Sequence, residues 1–590
     1  MKSMMKACLI LAIAVLGLSA RSNAQTLKGL GSSAMYLELG EAAGAADASG
    51  SMECVWSKGS GTVSAVDTGA SVPDNGQVWA AWAPGSSSDC TTVNTSMPIY
   101  AYLQTDSVVG DRCLSNAINL GSCTITNFPT SGSATTPAGL VLGSVAAEST
   151  LISDVANALN SSAVNFAGTD IRPEDAYFAI TRALTSCGTA ITQYTGGSGS
   201  PTQYLGLGYT SGGTIVGNSN AGGSTFNVVS FTLPADGFTV SPLGAVPVVV
   251  AVNSTDPAGT GFNSTAITNL NRSTLALYLD GSIGSTQDAL TPALALPGGY
   301  TPEPATVYVR EPLSGTYNTM EYNIPNNVEL QTSQDVGLNQ IPYTPGTPST
   351  GNQNCNGTVP AWNSATVNMG TLAGNVKQRA IGTGNELAAV FGHNDTLGYS
   401  FWGVGNFKAA PTTAKYLTVD GVDPIENTYG AIGTFPAGAI PTPTSGVGPS
   451  LANVTLAHVA DGTYPIWSLI RLVSDSSSPI TPAVQTLAAD TQSYVSFGLA
   501  TSQPDFIPYN SLAVERAHFA TPGTSSGPVT LSNGVCGLTA GRTSFTEAGG
   551  DVGGMVVPCM VDADYYADTN AAGAASLFVG TSAPSSSRRQ

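Results

Sequence analysis

The sequence predicts a mixed α/β protein with β-rich insertions, and three features of the chain indicate that class. Short apolar runs typical of strands alternate with fewer helix-like stretches. Clusters of Gly, Pro, Ser and Asn separate these runs and supply frequent turn signals. The chain has 590 residues, which is more than one hydrophobic core usually supports, so we expect more than one lobe.

The N-terminus has the pattern of an export signal. Lys2 and Lys6 precede an apolar run from Ala7 to Leu18. The segment Ser22-Asn23-Ala24 is typical of a signal-peptidase site. We therefore expect residues 1–24 to be a signal peptide and the protein to be periplasmic or extracellular. No later run approaches the roughly 20 apolar residues that span a bilayer, so no membrane span is expected after signal removal.

The remaining chain offers candidates for each kind of element. Helices are expected at 149–160, 173–184 and 385–391, and strands at 163–167, 246–252, 275–279 and 307–310. Surface loops are expected at 196–201, 343–354 and 441–449, and the tail 582–590 should be disordered.

Charge is scarce and negative. Asp, Glu, Lys and Arg make up 10% of the chain, below the roughly 25% of ordinary soluble domains. Loss of Lys2, Lys6 and Arg21 with the signal peptide would take the formal charge from −19 to −22. This balance argues against nucleic acid and anionic membranes as partners. A small anion would have to be captured by local donors against an unfavourable overall field.

Eight cysteines follow residue 24, and an even number in an exported chain suggests disulfides. Short separations favour Cys54 with Cys90, Cys113 with Cys123 and Cys536 with Cys559, which leaves Cys187 with Cys355. A zinc site is not expected, because the chain has no Cys-x-x-Cys pair and its three histidines are far apart. No metal or other cofactor is predicted.

Two segments have the chemistry of an anion site. Arg310 ends a strand-like run, and Ser314, Gly315 and Thr316 open a helix-like one. A guanidinium grips two oxygens at once, and hydroxyls and N–H groups at a helix start also favour negative charge. Taken alone, Ser314 could simply cap a helix and Arg310 could be solvated. Asp170 lies in a loop between a strand and a helix that Pro173 starts, where a turn or capping role is equally ordinary.

These segments, with two earlier ones, resemble the phosphate-specific solute-binding proteins of ABC transporters, which are two-lobed type 2 periplasmic binding proteins. Residues 27–34 are similar to the family's first strand and phosphate loop, with Ser33 as the ligand hydroxyl and Ala34 offering a backbone N–H. Residues 56–62 are similar to its Gly/Ser loop, in which Ser60 matches the second serine and Ser57 is the alternative. Residues 246–253 resemble the strand that crosses into the second lobe, 397–402 the return segment and 464–467 a later strand.

The resemblance implies capture of inorganic phosphate between two lobes for uptake by an ABC permease. Asp170 would accept the proton that phosphate carries at neutral pH and would repel sulfate, which carries none. The implied phosphate-binding residues are Ser33, Ala34, Ser60, Asp170, Arg310, Ser314, Gly315 and Thr316.

The resemblance also implies domain bounds. We expect residues 25–245 as the first part of lobe 1, with an insertion at about 73–147, and residues 246–405 as lobe 2. Residues 406–493 would return to lobe 1, and 494–590 would be a C-terminal extension with a disordered tail. One position departs from the family pattern: Pro312 stands where an Asp usually orients the Arg, and Glu311 would replace it only along a different loop path.

Two other functions compete with phosphate capture. An enzyme is not expected, because the chain has no P-loop, no metal-ligand cluster and no Ser with a motif-defined His base. A surface-layer or adhesive structural protein on the same fold, with weak or no phosphate binding, is the alternative. Its support is the low charge, the Ser, Thr and Asn content and Pro312.

Overall fold

The computed structural model describes a large part of the chain, in segments. The described residues are 25–45, 54–59, 61–67, 74–86, 89–121, 123–130, 146–171, 173, 238–280, 283–290, 300–310, 314–324, 367–368, 376–379, 382–407, 410–425, 454–496, 505–516, 531–533, 543–545 and 556–558.

Twenty-two strands occur in these segments. In chain order they are β1 Thr26–Gly31, β2 Cys54–Lys58, β3 Ser64–Asp67, β4 Asp74–Asn75, β5 Val78–Trp82, β6 Ile99–Gln104, β7 Cys123–Thr126, β8 Ala146–Glu148, β9 Phe166–Thr169, β10 Phe238–Asn253, β11 Asn269–Leu270, β12 Thr306–Val309, β13 Val367–Asn368, β14 Val376–Arg379, β15 Thr396–Phe401, β16 Ala414–Val419, β17 Trp467–Asp475, β18 Ile507–Pro508, β19 Val514–Arg516, β20 Leu531–Asn533, β21 Thr543–Phe545 and β22 Val556–Pro558.

The α-helices of the described segments number nine. They are α1 Tyr36–Ala45, α2 Ser107–Leu120, α3 Ser153–Ser161, α4 Arg272–Asp280, α5 Gly315–Asn323, α6 Thr383–Gly392, α7 Val404–Phe407, α8 Ala457–Ala460 and α9 Thr481–Ser496. Short 3-10 helices cover Ser33–Met35, Gly261–Asn263, Thr286–Ala289 and Tyr509–Ser511. Within these segments, none of the helices has the length and apolar character needed to cross a bilayer.

One large mixed sheet joins both halves of the molecule, so the mixed α/β class is confirmed. Its order is β13-β14-β12-β15-β10-β17-β9-β1-β6-β5-β2-β8, with β11, β16 and β18 paired off this path. Strand β10 is shared: residues 238–247 pair antiparallel with β17, and 248–253 pair antiparallel with β15. We call the half from β17 to β8 the first lobe and the half from β15 to β13 the second lobe.

The chain passes between the lobes at Pro247, where three segments meet. The amide of Val248 donates to the carbonyl of Ile466 at 2.8 Å, and the amide of Trp402 donates to Pro247 O at 2.7 Å. The hydroxyl of Tyr464 donates to Val248 O at 2.7 Å. The apolar run of β10 is buried from Ala245 to Val252, as expected for a strand covered on both faces. Residues 246–253 therefore cross between lobes as predicted.

A stack of rings holds the first lobe together across four neighbouring strands. The ring centroids of Trp79 and Tyr102 are 6.1 Å apart, and those of Tyr102 and Phe166 are 6.0 Å apart. Gly29 of β1 is in register with Tyr102 of β6 on one side and with Phe166 of β9 on the other. A Cβ atom on Gly29 would lie 2.3 Å from the Phe166 ring, so only glycine lets the two rings meet over this strand.

Two sequence predictions about local structure are wrong. Residues 275–279 form part of helix α4 and not a strand, because Leu275, Tyr278 and Leu279 share one buried helical face. Residues 73–147 are not an insertion as a whole, since they contain β5, β6 and α2. Strand β6 pairs in parallel with β1 over six residues and is therefore central to the first lobe.

Other predictions hold where the structure describes them. Helix α6 covers the expected 385–391, and α3 covers most of 149–160, whereas 173–184 lies outside the described residues except for Pro173. Disulfides join Cys54 to Cys90 and Cys113 to Cys123, as predicted. The two remaining predicted pairs, the three expected loops, residues 1–24 and the tail lie outside the described residues.

Two strand pairings join residues from opposite sides of an expected domain bound. Strand β16 pairs with residues 250–253 of β10, which places it with the second lobe although it follows residue 405. Strand β18 pairs with Gly244 and Ala245, so residues just after 494 pack on the first lobe. The domain bounds stay a proposal, shifted by these two pairings.

Candidate functional site

Three parallel strands of the first lobe end side by side at one edge of the sheet. Gly31 of β1 is in register with Gln104 of β6 and with Gly168 of β9. The residues that follow these strands are Ser32 and Ser33, then Asp106 and Ser107, then Asp170. Because ligands of open α/β sheets bind outside the carboxyl ends of the strands, this edge is the expected place for a site.

Backbone contacts fix the loop after β1. The amide of Ser32 donates to Gly168 O at 2.7 Å, and the amide of Thr105 donates to Gly31 O at 2.7 Å. Gly31 has a φ of +136°, and a Cβ atom there would lie 2.0 Å from Gly168 O. Both the dihedral and the space therefore require glycine at this turn.

Asp170 is buried at this edge and contacts the start of α2. The Ser107 hydroxyl donates to the Asp170 carboxylate. The Asp170 amide donates to the same hydroxyl oxygen at 3.3 Å. Burial raises the pKa of Asp170, while a hydrogen bond from Ser32 and the positive charges of Arg310 and Arg471 act in the opposite direction. A carboxylate held in this way is a strong hydrogen-bond acceptor.

Arg310 follows β12 of the second lobe and is only 2% exposed. Its Nη1 donates to Thr383 Oγ1 at 2.7 Å, and its Nε lies 3.9 Å from Glu386 Oε2. Thr383 and Glu386 belong to the first turn of α6. The Tyr399 hydroxyl accepts from the Arg310 amide at 3.3 Å. The guanidinium is thus oriented by the helix that follows the neighbouring strand β14.

Helix α5 brings the second lobe into contact with the first. Ser314 is its N-cap, with the hydroxyl accepting from the Tyr317 amide at 3.3 Å. A Cβ atom on Gly315 would lie 2.3 Å from both the Asp170 carboxyl carbon and the Ser107 hydroxyl oxygen. The lobes therefore touch at Gly315.

The first turns of three helices open at this contact. Helix α2 starts at Ser107, α5 at Gly315 and α6 at Thr383. Helix N-termini carry partial positive charge and unpaired N–H donors, which favour an anion. Together with Arg310 they supply the donors that balance the nearby carboxylates.

The structure brings most of the predicted site residues that it describes to the contact between the lobes. Asp170, Arg310 and Gly315 meet across the lobes; Ser314 and Thr316 are buried beside them, and Ala34 is buried while Ser33 is half-buried at the first-lobe edge. Ser60 lies outside the described residues, as do Glu311 and Pro312. The alternative Ser57 lies in β2, which is three strands from β1 and so about 14 Å away.

Sequence reasoning missed Ser107, Asp106 and Glu386. The signal for the first two was the continuous apolar run at residues 99–103, followed by an Asp-Ser pair that can start a helix. Glu386 has no comparable signal, because only the parallel pairing of β12 with β14 brings α6 beside Arg310. Among the described residues, no group of three or more His, Cys, Asp or Glu side chains is placed to hold a metal ion.

No protein-family model matches the sequence, and no curated protein matches it either. The chain is similar to solved phosphate-binding proteins. A phosphate-binding protein from Stenotrophomonas maltophilia is 16% identical, with a TM-score of 0.30, over 69% of this chain and 83% of that one. An ABC-type phosphate transport receptor from Vibrio cholerae is 13% identical, with a TM-score of 0.25, over 46% and 72%.

An ancestral soluble variant of the human phosphate-binding protein is 13% identical, with a TM-score of 0.29, over 69% of this chain and 83% of that one.

Proposed function

We propose that this protein is a solute-binding protein that captures inorganic phosphate between its lobes. The observation that carries the proposal is the meeting of Arg310 with Asp106, and of Gly315 with Asp170 and Ser107, across the two lobes. An oriented guanidinium, hydroxyls and helix starts suit a tetrahedral oxyanion. A buried carboxylate in the same place suits an oxyanion that carries a proton, because that proton can form a hydrogen bond to the carboxylate.

Asp170 gives the site its selectivity. Phosphate near neutral pH has a hydroxyl that can donate to the Asp170 carboxylate, so the like charges are separated by a hydrogen bond. Sulfate has no such proton, and its oxygens would face the carboxylate directly. Because the carboxylate is buried, this repulsion is weakly screened.

The remaining ligand groups follow from the same placement. We propose that the phosphate oxygens accept from Arg310 and from the hydroxyls and amides of Ser33, Ala34, Ser107, Ser314, Gly315 and Thr316. Ser107 adds a hydroxyl to this set, and Ser60, which lies outside the described residues, stays part of the proposal. The proposed chemistry is reversible binding, with no covalent step and no metal or cofactor.

Closure of the lobes would provide the signal for transport. Strand β10 and the segment before β17 connect the lobes at Pro247, and bending there would part Gly315 from Asp170. We propose export to the periplasm or the cell exterior, and delivery of phosphate to an ABC permease that recognises the closed form.

The test is a pair of calorimetric titrations, with phosphate and with sulfate, on the wild type and on Asp170→Asn. The wild type should prefer phosphate by about 100-fold or more, and Asp170→Asn should lower that ratio at least about tenfold, because an amide can donate to sulfate. Asp154→Asn, at an exposed position in α3, is the matched control and should leave the ratio unchanged.

Equal ratios in wild type and Asp170→Asn would refute the role of Asp170. A wild type that binds neither anion would refute phosphate capture and favour the structural or adhesive alternative.

A further inference from the structure

A second carboxylate faces the same guanidinium from the opposite lobe. Asp106 directly precedes α2, and its Oδ1 lies 3.4 Å from Arg310 Nη2. Its side chain is 17% exposed, whereas that of Arg310 is 2% exposed. Asp106 therefore lies at the rim of the lobe contact and Arg310 lies within it.

The two acidic partners of Arg310 have different positions. Glu386 is fully buried in the second lobe, moves with Arg310 and can orient it whether the lobes are open or closed. Asp106 belongs to the first lobe and reaches Arg310 only when the lobes meet. An anion bound to Arg310 Nη2 would therefore lie next to the Asp106 carboxylate.

The charges around Arg310 Nη2 are unfavourable for a dianion. Acidic groups come from three places: Asp106 before α2, Asp170 after β9 and Glu386 in α6. The cations are Arg310 after β12 and Arg471 in β17. Further titratable residues on the elements packed here include Tyr102 in β6, Asp111 and Arg112 in α2, Tyr308 in β12, Tyr317 in α5, Tyr399 in β15 and Asp475 in β17.

We propose that Asp106 is a second proton-accepting carboxylate of the site, so that the protein selects the dihydrogen form of phosphate. This inference rests on the proposed function. One phosphate hydroxyl would donate to Asp170 and the other to Asp106, while the two remaining oxygens accept from Arg310 and the helix amides. The monohydrogen form has a single hydroxyl, so one of the two carboxylates would face a bare phosphate oxygen.

The proposal predicts an affinity that depends on the ionisation of phosphate. Above the second ionisation, the dihydrogen form decreases about tenfold per pH unit, and the affinity of the wild type should fall with it. In Asp106→Asn the amide can donate to the bare oxygen of the monohydrogen form. Its affinity should change by less than about threefold over the same range, and at pH 8.5 it should exceed that of the wild type by about tenfold.

The experiment is calorimetric titration of the full chain with inorganic phosphate from pH 6 to pH 8.5, for wild type, Asp106→Asn and the exposed control Asp154→Asn. A steep fall in wild type and control, and a flat profile in Asp106→Asn, is the expected result. Parallel profiles would overturn the proposal, including the case in which Asp106→Asn is tighter by the same factor at every pH. In that case Asp106 would only compete with phosphate for Arg310.

Failure of the proposed function gives a different result. A wild type without phosphate binding at any pH would overturn both conclusions. Phosphate binding with parallel pH profiles would overturn the role of Asp106 alone. Thermal melting of each variant without ligand shows that the folded protein was titrated.

Discussion

Single residues decide how closely the lobes approach. Arg310 is oriented from behind by Thr383 and Glu386 and reaches Asp106 in front. The sequence suggested that Pro312 would leave this guanidinium poorly held. In the structure Glu386 of α6 is an acidic partner of Arg310. Arg310 is therefore oriented although Pro312 stands where the family has an Asp.

Gly315 provides the sharpest test at this scale. Because a Cβ atom there would overlap Asp170 and Ser107, Gly315→Ala should keep the lobes from closing and weaken phosphate binding by about 100-fold or more. The stability of each lobe should change little, since the atoms nearest to this Cβ belong to Asp170 and Ser107 of the other lobe. Phosphate titration and thermal melting measure the two effects.

Gly392→Ala is the control for this substitution. Gly392 ends α6, and a Cβ atom on it would have no neighbour within 4 Å. Phosphate affinity should stay within about twofold of wild type. Equal affinity in Gly315→Ala and Gly392→Ala would show that phosphate does not need the lobe contact seen here.

The site could be predicted from the sequence only where its residues carry local signals. Arg310, Ser314 and Asp170 each follow a strand or cap a helix, and these patterns are visible within a few residues. Ser107 depends on β6 lying beside β1, and Glu386 depends on β14 lying beside β12. Strand order is a tertiary property, so no short segment contains it.

At the scale of elements, α1 meets α9 and the segment after it through buried acids. The Glu38 carboxylate accepts from the Asp505 amide at 2.9 Å, and the Tyr494 hydroxyl donates to Glu41 at 3.1 Å. Burial, with Asp505 and Glu41 nearby, raises the pKa of Glu38 well above its ordinary value of 4.5. The folded protein therefore holds a proton on Glu38 that the unfolded chain has already released.

This proton makes stability depend on pH. Because the native state binds more protons than the unfolded state above pH 4.5, the contribution of Glu38 to the free energy of unfolding falls as pH rises through that region and stays lower above it. Glu38→Gln keeps an oxygen for the Asp505 amide and removes the charge. Chemical denaturation from pH 5 to pH 8 should show a smaller loss of stability in this variant.

Glu303→Gln is the control for Glu38→Gln, because it makes the same change at a glutamate that is only half-buried. It should follow the wild-type profile. Identical profiles in wild type and Glu38→Gln would contradict the account of these buried acids.

At the scale of the whole molecule, one long strand and one shorter segment connect two lobes whose facing edges carry the candidate site. The mixed α/β class and the crossing near residue 246 could be predicted, because a buried apolar strand has a clear pattern. The role of residues 73–147 could not be predicted, because the place of β6 beside β1 and of β5 beside β6 in the sheet is known only from their pairing.

We propose that this chain closes on one phosphate. The most direct measurement is calorimetric titration of the phosphate-free full chain with phosphate and, in parallel, with sulfate at neutral pH. We expect one phosphate to bind per chain and sulfate to bind at least about 100-fold more weakly. Equal affinity for the two anions, or no binding of phosphate, would contradict it.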